Sequence, residues 1–459
     1  MSSSQPTIFA LSSGPPPSAV AVIRISGPRA RRALEAMIGR VPEPRRATLT
    51  RVRDPATSEV IDEGLALWFP GPKSETGEDM AELQVHGGRA VIAALLGVLA
   101  RLDGFRLAEP GEFTRRAFEH GRLDLTAVEG LADLVAAETE AQREQALRQL
   151  RGNIAEQAEA WRTRLIEARA LIEAGIDFSD EGDVPKNLAR EALAIIRPIA
   201  EEIAQAGSGH GERLREGLQV AIAGAPNVGK STLLNRFAKR DAAIVSPYAG
   251  TTRDVIEVHL DLKGFPVTIH DTAGIRPTED PVEQEGVRRA WQSTAAADLV
   301  LWVLDASEVS ASAVAAVAGQ AELAQTLTWF VVNKTDLLDA GSRESIGALF
   351  QSPRVRFLVS AVTGEGVDNL IDGIAKFASE SFRAEAVLVT RARHRQMLQE
   401  AFAALAGALA LDQAHGAEGR EEVIAEQIRM ATRALERLTG RVDVEDVLDV
   451  IFREFCVGK

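Results

Sequence analysis

Apolar positions recur along this chain with two different periods, and the changes of period mark out its organisation. Over residues 1–121 short apolar runs (Val20–Ile25, Gly64–Phe69, Ala81–Val85) sit among glycine and proline turns at Gly14 to Pro17, Pro70-Gly71-Pro72, Gly87-Gly88 and Pro110-Gly111. Short runs bounded by such turns predict strands in an α+β domain. Over residues 122–216 Ala, Glu, Arg, Leu and Gln dominate. There Leu131, Leu134 and Val135, then Leu147, Leu150 and Ile154, keep helical spacing, which predicts long amphipathic helices. Residues 379–459 return to that character, with a short helix expected near 443–455. Between the helical stretches, residues 217–378 alternate strand and helix. The pattern predicts a multidomain α/β protein. It has an N-terminal α+β domain (1–121), an α-helical domain in two parts (122–216 and 379–459), and an α/β domain inserted at 217–378. Insertion is tolerated because a domain's termini usually lie close together. The stretch Gly207-Ser208-Gly209-His210-Gly211 reads as a flexible joint before the insert.

Length agrees with this division, since 459 residues exceed one ordinary core and suit about three domains. With 46% hydrophobic and 26% charged residues the composition is ordinary globular, which excludes disordered and collagen-like classes. The net charge of −14 argues against a broad basic surface for nucleic acid and leaves a local patch open. One cysteine, Cys456, forms no internal disulfide and fits a reducing, cytoplasmic compartment. No signal peptide and no apolar run of ~18 residues is found, so no membrane association is expected.

The inserted segment carries the chemistry. The buried-strand pattern Leu218–Ala223 runs into Gly224-Ala225-Pro226-Asn227-Val228-Gly229-Lys230-Ser231, a complete G-x-x-x-x-G-K-[ST] loop, and a helix from Thr232 follows. Strand, glycine loop and helix in this order let backbone N–H groups wrap phosphate, with the helix N-terminus adding a favourable dipole. Lys230 is expected to reach the β- and γ-phosphates and Ser231 to ligate Mg²⁺. A strand at Val267–His270 ends in Asp271-Thr272-Ala273-Gly274. There Asp271 would hold Mg²⁺ through water and the Gly274 N–H would sense the γ-phosphate. Trp329–Val332 ends in Asn333-Lys334-Thr335-Asp336. The Asp336 carboxylate suits the N1–H and 2-amino group of guanine, a paired donor edge that adenine lacks. Val355–Val359 ends in Ser360-Ala361, where a backbone N–H can meet guanine O6.

Four such motifs in order predict a GTP-hydrolysing domain. Its expected nucleotide contacts are Asn227, Val228, Gly229, Lys230, Ser231, Thr232, Ser246, Thr251, Thr252, Asp271, Gly274, Asn333, Lys334, Asp336, Ser360 and Ala361. In the switch candidate Val245–Asp254, Thr252 is the natural second Mg²⁺ hydroxyl. Ile275 follows Gly274, where Ras-like enzymes carry a water-orienting Gln, so the catalytic group must come from elsewhere.

Residues 227–231, 250–254 (Gly-Thr-Thr-Arg-Asp) and 271–276 (Asp-Thr-Ala-Gly-Ile-Arg) resemble the potassium-activated GTPases related to Era and EngA. That resemblance implies Asn227 and Thr251, with the carbonyls of Ser246 and Tyr248, as K⁺ ligands. Outside the insert, Thr76-Gly77-Glu78-Asp79, Glu82-Leu83-Gln84, His86-Gly87-Gly88, Pro110–Phe118 with Leu123-Asp124-Leu125, and the tail Phe455-Cys456-Val457-Gly458-Lys459 narrow the match. Over essentially its whole length the chain resembles the MnmE (TrmE) family of tRNA-modification GTPases.

The resemblance implies a tetrahydrofolate-binding and dimerisation domain at 1–121, taking a 5-formyl- or 5,10-methylene-tetrahydrofolate through Arg24, Glu82, Arg122 and Lys459. It implies a homodimer joined by the FAD-dependent MnmG protein in a heterotetramer, with tRNA as substrate. The expected product is a (carboxymethyl)aminomethyl group on C5 of the wobble uridine, U34. The family's catalytic glutamate falls at Glu283. Two departures stand out: Arg122 replaces a lysine, and Glu75 replaces an aromatic before Thr76. Cys456 admits two readings, a structural thiol or a nucleophile towards C6 of uracil. The alternative for the whole chain is a K⁺-dependent regulatory or ribosome-assembly GTPase switch, which should carry a basic RNA-binding appendage.

Overall fold

The computed structural model describes residues 5–177, 187–207, 211–240, 243–244, 257–271, 297–312, 314–315, 317–318, 327–339, 341–343, 346, 356–383, 389–415, 420–442, 448, 451–453, 455 and 457–458. Packing divides the chain into two compact units. One comprises Met1–Val135, Leu147–Ala204 and Gln396–Lys459; the other comprises Ala136–Ala146 and Gln205–Arg395.

The first unit opens with β1 (Thr7–Leu11), β2 (Ser18–Ser26), α1 (Ala30–Ile38), β3 (Thr48–Arg53), β4 (Val60–Phe69), β5 (Met80–Gly87), α2 (Arg89–Arg101) and β6 (Phe105–Leu107). The strands form one sheet in the order β3-β4-β5-β2-β1-β6, antiparallel except for the β1–β6 pair. Strand alternation sends Ala21, Ile23 and Ile25 to one face, where they meet Leu34 and Met37 of α1 and Leu95 and Leu99 of α2. The intervening β2 positions belong to the opposite face, and Arg24 is one of them. The short α3 (Glu112–Glu119) follows the sheet, and its Phe113 packs with Ile8, Ala10 and Ala108.

The helical part continues through α4 (Leu125–Ala136), α5 (Glu140–Leu150), α6 (Asn153–Asp177) and α7 (Leu188–Gly207). On α6 the buried positions Ile154, Ala158, Trp161, Leu165, Ala168 and Ile172 recur every three or four residues, as a helix with one core-facing stripe requires. The Trp161 indole N–H donates to Glu202 at 2.7 Å, joining α6 to α7.

The second unit holds α8 (Gly211–Glu216), β7 (Leu218–Gly224), α9 (Lys230–Ala238), β8 (Glu257–Leu262), β9 (Phe265–Asp271), β10 (Leu299–Asp305), β11 (Thr328–Asn333), β12 (Arg356–Leu358) and α10 (Val367–Arg383). Helices α11 (Ala392–His415) and α12 (Glu421–Thr439) complete the chain's long elements. The sheet order is β12-β11-β10-β7-β9-β8. Every pair is parallel except β8–β9.

Both faces of this sheet are covered, so its strands read as continuous apolar runs. Val220, Ile222, Leu301 and Val331 pack into one core with Leu233, Phe237 and Leu370. Ala221, Ala223, Val300, Trp302 and Phe330 pack into the other. From central β7 the chain passes first to β8 and β9 on one side and then to β10 on the other. That makes the carboxyl end of β7 a topological switch point, where open α/β sheets bind ligands.

Candidate functional site

The loop at the switch point is built by backbone conformation. Gly224 has φ 144° and Gly229 φ 94°, and Asn227 between them is also left-handed at 63°. Gly229 is required twice over. A Cβ there would stand 2.3 Å from Asn333 Nδ2, and its φ lies where L side chains are strained. The next residue starts α9, so the helix N-terminus faces the loop. Lys230 is buried, and its Nζ donates to the carbonyls of Gly224 at 2.9 Å and Ala225 at 2.8 Å. The ammonium is thereby held inside the curl of the loop rather than extended to solvent.

Two further loops meet this one at the carboxyl edge of the sheet. Asn333, 2% exposed, ends β11. Its Nδ2 donates to Val228 O at 2.8 Å, and its Oδ1 accepts the Ala361 N–H at 2.9 Å. Thr335 N donates to Val359 O at 3.2 Å. Lys334 is left-handed with φ 66° and precedes a 3₁₀ turn, Thr335–Leu337, that carries Asp336 on its exposed side. The phosphate-type loop, the Asn333–Asp336 turn and Ser360-Ala361 are thus tied together. Asp271 ends β9 beside Ile222 of β7.

In the first unit, Arg24 and Glu82 face each other across β2 and β5. Arg24 Nε donates to Glu82 Oε1 at 3.1 Å, and Arg24 Nη1 donates to Glu75 Oε1 at 3.0 Å. The guanidinium also lies 5.8 Å from the Phe113 ring centroid. Arg122 is exposed. Its Cγ would be 3.4 Å from a Cβ at Gly77. The Glu75–Gly77 loop therefore touches Arg24 at one end and Arg122 at the other. Behind it, buried Arg116 donates to Glu78 at 2.9 Å and to Glu112 at 2.9 Å, and Ser26 donates to Glu78 at 2.8 Å.

A family model described as the MnmE helical domain matches residues 125–456, and one described as the GTP-binding protein TrmE N-terminus matches residues 7–122. The tRNA modification GTPase MnmE of Rhodopseudomonas palustris strain BisB18 is 53% identical over 461 residues, which is 100% of both chains. The chain belongs to the MnmE family of tRNA modification GTPases.

The MnmE of Beijerinckia indica is 50% identical over 457 residues, 99% of this chain and 96% of that protein. Among solved structures, Aquifex aeolicus Era bound to GDP·AlF4⁻ matches with 27% identity over 40% of this chain and 66% of its own, at a TM-score of 0.29.

Not every sequence expectation meets the described residues. Ser246, Tyr248, Thr251, Thr252, Gly274, Glu283, Cys456 and Lys459 lie outside them. The tail beside the last two is described. Ser12 Oγ donates to Gly458 O at 2.7 Å, and Val457 bridges Pro110. Gly458 has φ 100°, and a Cβ there would stand 2.2 Å from Leu11 O. The glycine of this tail is thus demanded by its docking against β1.

Sequence reading missed Asp305. It ends β10, opposite Asn333, and its Oδ2 holds Lys334 Nζ at 2.5 Å. Ser307 donates to its other oxygen through Oγ at 2.7 Å and N at 3.0 Å. Burial opposes the charged form, yet the hydrogen bonds from Lys334 and Ser307 outweigh it and hold Asp305 below the ordinary carboxylate range. A signal was available. An apolar strand run, Leu299–Leu304, ends in a charged residue, as the runs before Asp271 and Asn333 end in polar ones. Among the described residues no helix is long and apolar enough to cross a membrane.

Proposed function

We propose that this chain is a Mg²⁺-dependent, K⁺-activated GTPase that takes part in modifying the wobble uridine of certain tRNAs. The observation that carries the reading is Asn333 tying a Gly-rich loop at Val228 to the Ser360-Ala361 turn at Ala361. In this reading the arrangement supports a phosphate cradle and a guanine-reading edge held at a fixed separation.

In this reading the N–H groups of Asn227 to Thr232 wrap the phosphates, and Lys230 turns from the loop carbonyls to the β- and γ-phosphates. Mg²⁺ held by Ser231 and Thr252, and through water by Asp271, would neutralise charge on those phosphates. Asp336 accepts the guanine N1–H and 2-amino donors while the Ala361 N–H meets O6. Asn227, whose backbone is left-handed, serves K⁺ together with Ser246, Tyr248 and Thr251. Glu283 orients or deprotonates the attacking water.

For the first unit we infer a 5-formyl- or 5,10-methylene-tetrahydrofolate site at Arg24, Glu82, Arg122 and Lys459. The support is the Arg24–Glu82 pair and the shared loop beside Arg122. The chain then works in the cytoplasm as a homodimer with the FAD-dependent MnmG protein, adding a (carboxymethyl)aminomethyl group at C5 of U34.

The test is mass spectrometry of wobble uridines in cells lacking the protein, complemented with wild type or Glu283→Ala. Restored modification is expected only with wild type. Unmodified product persisting with wild type would reject the tRNA role. Purified Glu283→Ala should bind GTP normally and hydrolyse it ~10²-fold more slowly or worse.

A further inference from the structure

Lys334 and Asp336 flank the guanine-reading turn, but nothing in the motif itself explains what fixes the lysine. Its side chain is a flexible four-carbon stem with a point charge, and such a stem loses considerable rotamer entropy when it is held in one place. The stem is one-third exposed, so packing alone does not immobilise it. What holds it is a carboxylate from a different strand. Asp305 closes β10, its side chain is 9% exposed, and Oδ2 lies 2.5 Å from Lys334 Nζ.

The carboxylate is itself held. Oδ1 accepts both the Ser307 hydroxyl and the Ser307 backbone N–H. The Asp305 backbone is stitched in as well, because Ala306 N donates to Asn333 O at 2.9 Å and Glu308 N to Asp305 O at 3.1 Å. Arg343 secures the far side of the same turn through Thr335 O at 3.0 Å. The acidic turn after β10 is therefore a brace for the Asn333–Asp336 turn, with one charged contact directed at Lys334.

We propose that Asp305 is a positioning residue for guanine nucleotide, holding the Lys334 stem as one wall of the base site beside Asp336. The inference rests on the reading of that turn as the guanine site. The Asp305 side chain is engaged by Lys334 and Ser307, so acting through the lysine it contributes to binding in the ground and transition states alike. Interactions of that kind change KM and leave kcat alone.

The experiment is a double-mutant cycle on the full-length protein, read by titration with a fluorescent GDP analogue and by steady-state GTP hydrolysis. Asp305→Asn keeps the shape and removes the charge. A hydrogen bond to a charged group contributes a factor of roughly ten. Asp305→Asn should therefore weaken GDP binding and raise KM for GTP about tenfold, with kcat at saturation unchanged. In a Lys334→Met background the same change should add nothing, since its partner is gone. Wild-type affinity in Asp305→Asn overturns the proposal, and so do losses that add fully in the double variant. Should Asp305→Asn not fold, Ser307→Ala replaces it in the cycle. That variant keeps the charge and loosens its hold, and the same two criteria apply with a smaller expected shift. Asp336→Ala is the reference. If it binds guanine nucleotide as tightly as wild type, the guanine-site reading fails. If it loses binding while Asp305→Asn does not, only the present inference fails.

Discussion

The Asn333 carboxamide oxygen accepts the Ala361 backbone N–H at 2.9 Å, while its amide nitrogen holds Val228 O at 2.8 Å. One side chain therefore spans three loops drawn from β7, β11 and the segment after β12. Asn333→Ala leaves a buried N–H and a buried carbonyl without this partner, each costing about 1–3 kcal/mol. Denaturant unfolding should register a loss of about 2–6 kcal/mol for the two together. GTP affinity should fall at least tenfold, because the cradle and the base edge are no longer held together. Unchanged affinity would show that the loops keep their places without it.

Gly229→Ala tests the same junction from the other side. The added Cβ would stand 2.3 Å from Asn333 Nδ2, at a residue whose φ is 94°. Left-handed backbone costs an L-residue roughly 1–2 kcal/mol, and the clash pushes the Asn333 staple off Val228. The expected result is a destabilised variant with nucleotide binding reduced more than tenfold. A variant that binds GTP normally would mean the loop relaxes without cost.

Much of this site was legible because each functional loop follows a strand. Residues 218–223, 267–270 and 329–332 are apolar runs that a parallel sheet buries on both faces, and the polar residues after them are the ones the fold delivers to one edge. Asp305 obeys the same rule and was overlooked because no familiar motif surrounds it. The role of Glu75 was not legible at all. Its pairing with Arg24 depends on a loop fold that strand periodicity does not encode. The boundaries blur for a similar reason. Residues 136–146 have helical spacing like their neighbours, yet Gln142 donates to Arg215 O and Gln145 to Gly211 O within the second unit. Periodicity reports that a helix forms, not which core it joins.

Acid should weaken the first unit through Glu112. Its burial favours the neutral form. The salt-bridged hydrogen bonds from Arg106 at 2.6 Å and Arg116 at 2.9 Å, with the Glu109 N–H, more than offset that. The folded-state pKa is thus below the ordinary value of 4.5. A depressed carboxyl contributes stability that is complete above its unfolded pKa and is lost as pH falls through the folded value. Unfolding free energy should therefore decline as pH falls below that ordinary value, and Glu112→Gln should be less stable at pH 7 with a shallower acid limb. An identical acid limb in that variant would assign the loss to other groups.

GTP turnover should require K⁺. Asn227 holds a left-handed position in the glycine loop, and Ile275 supplies no polar group for water. A cation at the bridge between the phosphates would stabilise developing charge, an effect worth ~10³-fold or more by analogy with arginine fingers. Turnover in K⁺ and Na⁺ at matched ionic strength should differ by that order, and Asn227→Ala should remove the difference. Equal rates in the two salts would sink the assignment. Arg253→Ala is the companion measurement: loss of hydrolysis without any K⁺ effect would hand the role to arginine.

Glu75 should compete with any anionic group of the ligand at Arg24. The guanidinium has two carboxylate partners with different character. Glu82 is 14% exposed and faces Arg24 across the sheet, whereas Glu75 is 50% exposed and reaches in from a loop. Glu82 is therefore the fixed partner and Glu75 the releasable one. Removing its charge frees one edge of the guanidinium without unpairing it. Exposed ion pairs contribute about 0.2–1 kcal/mol, so Glu75→Gln should tighten tetrahydrofolate binding by up to about fivefold. Arg24→Ala should weaken it by more than tenfold, because it also leaves the half-buried Glu82 carboxylate without its cation. Calorimetry on the full-length protein reads both. Weaker binding in Glu75→Gln would make Glu75 a ligand contact rather than a competitor. Full binding in Arg24→Ala would move the folate site away from β2 altogether.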